Sequence, residues 1–161
     1  MQVQRLMAVN LSSEHDPVGE VYLTDIQYRM NTDSVIPSLV NSSYNELEEY
    51  LIRNYFGGYF SKFDIQTTIC TGADSVWVQP DDSMEPCFPF FDEMIAKSGT
   101  KLPNCNFYHM NNRNGLISYL GKLYYPLISD SLGISIFIEL NSKIVSEGIG
   151  FPELLMDQSL I

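Results

Sequence analysis

Two segments of this 161-residue chain alternate apolar and polar side chains with a period of two, and no other pattern in it restricts the fold as strongly. In FSKFDIQTTIC, Phe63, Ile65, Thr67 and Ile69 fall on one face and Lys62, Asp64, Gln66 and Thr68 on the other. In ISIFIEL, Ile134, Ile136, Ile138 and Leu140 share one face. Successive side chains of an extended chain point to opposite sides, so this alternation predicts half-buried strands. Thr71-Gly72-Ala73-Asp74 reads as a turn that folds the first strand back on SVWVQ as a hairpin. Residues 2–9 and 18–24, short and rich in Val, Leu and Tyr, read as two further strands joined by the polar loop from Asn10 to Pro17. Asn104 to Met110 reads as another, and Leu116 to Tyr125 fits a strand or a helix.

Helical signals are fewer. Ser43-Tyr44-Asn45-Glu46 matches a capping box, Tyr44, Leu47, Leu51 and Tyr55 recur at helical spacing, and Gly57-Gly58 stops the run. Pro80 ends the SVWVQ strand, Pro86 and Pro89 keep the next ten residues irregular, and Phe90 to Lys97 predicts a short helix closed by Gly99. Phe151-Pro152-Glu153 opens a third at the C-terminus. Strands outnumber helices and follow one another through short turns. The expected fold is therefore α+β, a single globular domain over residues 1–161 with a mostly antiparallel sheet and two or three short helices.

Composition narrows the function classes. Nine Lys plus Arg against twenty Asp plus Glu give a net charge of -11, which repels a phosphate backbone and turns the search for partners away from nucleic acid itself. No apolar run approaches the length of a membrane span, the N-terminal run LMAV is too short for an export signal, and three cysteines read as free thiols suited to a reducing compartment. A cytoplasmic protein is expected.

Catalytic and ligand-binding motifs are sparse. Neither a P-loop nor a dinucleotide fingerprint occurs, Gly148-Ile149-Gly150 is a lone GxG, and no cofactor is expected. Cys70, Cys87, Cys105 and His109 supply four zinc-ligand types but no Cys-x2-4-Cys knuckle, so each cysteine reads as packing and no metal is expected. His15-Asp16 lies in the loop SSEHDP, where both side chains are expected in water. An enzyme would have to use His15 or His109 with a carboxylate, and no flanking motif supports either, so the balance leans away from catalysis.

The stretch VWVQPDDSMEPCFPFFDEM fits a docking edge better than a catalytic loop. Between Lys62 and Lys97 there are seven acids and no base, interleaved with Trp77, Phe88, Phe90 and Phe91. Aromatic side chains supply contact area and carboxylates steer a cationic partner. The residues assigned to partner binding are Trp77, Asp81, Asp82, Glu85, Asp92 and Glu93, with Glu46, Glu48 and Glu49. The expected function is that of a small acidic inhibitor, immunity or anti-defence protein that blocks a basic surface of a partner such as a nuclease or another nucleic-acid-binding protein. An unrecognised enzyme and a homo-oligomeric assembly protein are the alternatives.

Overall fold

A computed structural model describes residues 14–71, 75–78, 83–111, 115–128 and 133–143, with the backbone alone at 75–78 and 83–85. Among the described residues the first element is helix α1, Pro17–Asn31. Residues 18–24 are thus helical and not the strand their Val and Tyr content suggested. Two local signals outweigh that content. The Asp16 carboxylate accepts a hydrogen bond from the Gly19 amide at 3.0 Å and caps the helix, and Pro17 takes the first helical position, where its missing N–H costs nothing. Leu23, Ile26 and Met30 then recur at helical spacing and are buried. The strand expected over 2–9 and the helix expected at Phe151 lie outside the described residues.

A short helix α2, Val35–Val40, leads to α3, Tyr44–Tyr55, which begins where the capping box predicts, with Ser43 Oγ accepting from the Glu46 amide. Asp33, before α2, accepts hydrogen bonds from the hydroxyls of Tyr50 and Tyr55 and so ties the α1–α2 connection to α3. Burial acts to raise the Asp33 carboxyl, but these two hydroxyls and the amides of Val35 and Ile36 outweigh it and hold its pKa below the usual 3.8. A 3-10 helix, Gly58–Lys62, follows through Gly58 at φ 62°, a conformation that glycine adopts without strain.

The sheet contains β1 (Phe63–Thr71), β4 (Gly99–Lys101), β5 (Phe107–Met110), β6 (Ser118–Tyr125) and β7 (Ile134–Ser142) in the antiparallel order β1-β7-β6-β5-β4. Residues 116–125, open between helix and strand, thus supply the central strand β6. β1 does not form a hairpin with SVWVQ. It pairs with β7 over nine positions, from Phe63 opposite Ser142 to Thr71 opposite Ile134. SVWV forms β2, Ser75–Val78, and pairs instead with β3, Ser83–Pro86, in a separate ribbon of four pairs. Nine-residue strands of matching alternation bury more apolar surface together than either would with a four-residue neighbour.

Helix α4, Cys87–Ser98, starts at Pro86 and carries Pro89 in its first turn, so the prolines do not keep this stretch irregular. The N–H groups of a first turn have no intrahelical partner, and proline there sacrifices none. Alternation along β7 separates two cores. Ile134, Ile136, Ile138 and Leu140 join Leu23, Ile26, Leu47 and Leu51 of α1 and α3, while Phe137 joins Cys70, Cys87, Phe91 and Leu120 beneath α4. The sheet thus lies between α1–α3 and α4, an α+β arrangement with four α-helices among the described residues. Cys70 and Cys87 are disulfide-bonded with Cα atoms 5.8 Å apart, which corrects the reading of three free thiols; only Cys105 is free and it is buried. No helix among the described residues is long and apolar enough to cross a membrane.

Candidate functional site

The two histidines meet. His15 precedes the cap of α1 and His109 lies on β5, and their rings stack with centroids 3.7 Å apart and planes at 16°. His15 Nδ1 donates to Glu20 Oε2 at 2.6 Å, and the Tyr119 hydroxyl of β6 donates to the same oxygen at 2.6 Å. His109 Nε2 donates to the Glu14 carbonyl at 2.8 Å, which sets its proton on that nitrogen, since a carbonyl can only accept. Burial is the main cause that holds the His109 pKa below 6.5, and nearby His15 adds to it, against the Glu14 hydrogen bond and the Glu20 charge. Burial, with the hydrogen bond to Glu20, raises the Tyr119 hydroxyl pKa and keeps it protonated.

Asp16 does not stand in water either. Its amide donates to the Tyr119 hydroxyl at 2.8 Å, its carboxylate accepts from the Tyr59 hydroxyl at 2.7 Å, and the Lys62 ammonium lies 3.8 Å away. The chemistry available is that of a histidine oriented by a carboxylate: Glu20 holds Nδ1–H of His15 and leaves Nε2 as the ring's proton acceptor, with nearly half of the side chain exposed. Among the described residues no group of three or more His, Cys, Asp and Glu is placed to hold a metal ion.

The carboxylates assigned to partner binding fall into separate groups. Asp81 and Asp82 lie outside the described residues, between β2 and β3. Trp77 and Glu85 stand on those two strands, where Trp77 pairs with Met84 and Val76 with Glu85. Asp92 and Glu93 are exposed on α4, yet each has a lysine of the same chain: Lys122 Nζ lies 2.6 Å from Asp92 and Lys97 Nζ 3.6 Å from Glu93. Glu46, Glu48 and Glu49 are on α3, on the other side of the sheet, and make no side-chain hydrogen bond or ion pair with another described residue. Glu46 and Glu49 share one stripe of α3 with Arg53, at positions i, i+3 and i+7.

Sequence reasoning missed Glu20, Tyr119, Tyr59 and Lys62 as partners of the histidine segment. Asp16-Pro17 could have placed Glu20 in a first helical turn beside His15, but nothing local brings β5 and β6 to the same point. Comparison with protein-family models, with curated proteins and with solved structures returns no match.

Proposed function

We propose that the chain is a small acidic binding protein that occupies a basic surface of another protein, one that handles nucleic acid. The observation that carries this reading is the state of Glu46 and Glu49, exposed on one stripe of α3, and of half-buried Glu48, three carboxylates with no ion pair to a cation among the described residues. A carboxylate already paired within its own chain must lose that partner to gain a new one, while an unpaired one has only solvent to displace. The overall charge of -11 adds a long-range field that speeds encounter with a cationic surface. Helix α1 exposes Val18, Val21, Tyr22 and Tyr28, apolar area that a partner can cover.

Capture of partners by the whole protein at low and at high salt tests the reading. Partners with basic surfaces that elute as salt rises support it, because screening shortens the reach of exposed charges. Partners with neutral or acidic surfaces, or retention indifferent to salt, would sink it.

A second reading, an enzyme with a histidine base, is favoured by the His15–Glu20 pair and its Tyr119 support. Its test is turnover of activated esters and phosphoesters by the purified protein. Activity lost in His15→Ala and lowered in Glu20→Gln supports it; activity that persists in His15→Ala removes it.

A further inference from the structure

A groove of about 400 Å³ separates α1 from the chain leaving α3. Its floor is apolar, formed by buried Ile26 and Phe60, and Tyr22 and Tyr59 line it with ring centroids 5.0 Å apart. Arg29 and Arg53, the two arginines among the described residues, both line it as well. In a chain of charge -11, two arginines on the lining of one groove run against the composition. Solvation is the ordinary state of an exposed arginine, but these two share an open concavity with aromatic walls.

The donors are largely uncommitted. Arg29 spends Nε on Asp25 Oδ2 at 3.0 Å and sets its guanidinium carbon 5.0 Å from the centre of the Tyr55 ring, which leaves its terminal nitrogens free among the described residues. Arg53 makes no side-chain hydrogen bond or ion pair with a described residue, although Glu49 lies one turn back on the same stripe. Lys62 places its ammonium 4.0 Å from the centre of the Tyr59 ring, where the Asp16 carboxylate, 3.8 Å away, offsets its charge. Gly57 and Gly58 form one edge without side chains, and around Gly58 the space is open.

We propose that this groove binds an aromatic organic anion of the nucleoside monophosphate class, with Arg53 and Arg29 holding the phosphate and Tyr22 and Tyr59 covering the base. Planar guanidinium forks match phosphate oxygens two at a time, and tyrosine rings stack on a base of any sequence. A polynucleotide is turned away by the charge of the whole molecule, whereas one phosphate meets only the local field.

The experiment is a titration of the full chain with adenosine monophosphate, followed by calorimetry and by amide shifts in NMR, beside adenosine and inorganic phosphate. The expected result is saturable binding of the monophosphate, tighter than either fragment. Arg53→Gln should weaken it about tenfold or more, Arg53→Lys by less, and Tyr22→Ala should weaken the monophosphate without changing inorganic phosphate. Glu49→Gln, which removes the competing carboxylate, should tighten it. No saturable response to adenosine or guanosine monophosphate at millimolar concentration overturns the proposal. So does binding no tighter than that of inorganic phosphate, or an affinity unchanged in both Arg53→Gln and Arg29→Gln.

Discussion

Burial disfavours the charged form of an imidazole, and His109 is 4% exposed, although the hydrogen bond from Nε2 to the Glu14 carbonyl opposes that effect in part. The unfolded chain takes up a proton at this residue near pH 6.5, while the folded chain does so only at lower pH. The unfolded state therefore binds more protons between those two values, and stability is present above pH 6.5 and lost as pH falls toward the folded value. Lowering pH from 7.5 to 5.5 should lower the thermal midpoint, and less so in His109→Gln; an equal decline in both would contradict the assignment. This pair was not legible in the sequence. Both histidines were named as the only candidates for a base, but their stacking depends on β5 reaching the start of α1, a contact between distant parts of the chain. What could be read locally, the neighbourhood of His15 and Asp16, was misjudged because Asp16-Pro17 was taken as loop and not as the start of a helix.

Helix α1 shows why composition misleads where both faces of an element are apolar. Leu23, Ile26 and Met30 are buried, while Val18, Val21, Tyr22 and Tyr28 are exposed, so the helix lacks the clean polar face by which an amphipathic segment announces itself. The two sides should respond differently to substitution. Leu23→Ala should cost about 2–5 kcal/mol, the range for truncating a fully buried leucine, and Val21→Asp should stay within about 0.5 kcal/mol, as surface changes do. Urea denaturation of the two variants checks this, and a severe loss in Val21→Asp would place that side chain against the protein and not in solvent. The strands were easier to read than the helix because a period of two is visible in any nine residues, as in β1 and β7. Their pairing was not, since alternation says nothing about which strand lies alongside, and β7, expected half-buried, is covered on both faces because α4 packs Phe137 opposite the Ile134–Leu140 face. Gly121 supplies one register signal that pattern reading ignored: it stands opposite Phe107, and a Cβ at Gly121 would come within 2.6 Å of that ring.

On the scale of the whole molecule, the disulfide and the placement of the charges bear most directly on function. Cys70 and Cys87 join the end of β1 to the start of α4 around a loop spanning 17 residues, a closure worth about 3 kcal/mol in the chain-entropy account. Intact mass without reductant should be lower by two hydrogens, and reductant should lower the thermal midpoint; an unchanged mass would remove the bond. The carboxylates pose a geometric choice that the sequence could not pose, because along the chain they form one acidic series and in the fold they do not. Glu46, Glu48 and Glu49 lie with α3 on one side of the sheet, and Asp92 and Glu93 with α4 on the other. A partner with one flat basic face can meet only one set. The unpaired set on α3 should be that one: with a captured partner at low salt, Glu46→Gln, Glu48→Gln and Glu49→Gln together should slow association about tenfold with the melting temperature unchanged. Asp92→Asn with Glu93→Gln should leave the association rate as it was and cost at most about 1 kcal/mol of stability through the exposed pairs to Lys122 and Lys97. The reverse result would move the docking face to α4 and the adjoining β2–β3 ribbon, and equal slowing by both sets would require a partner that reaches around the edge of the sheet.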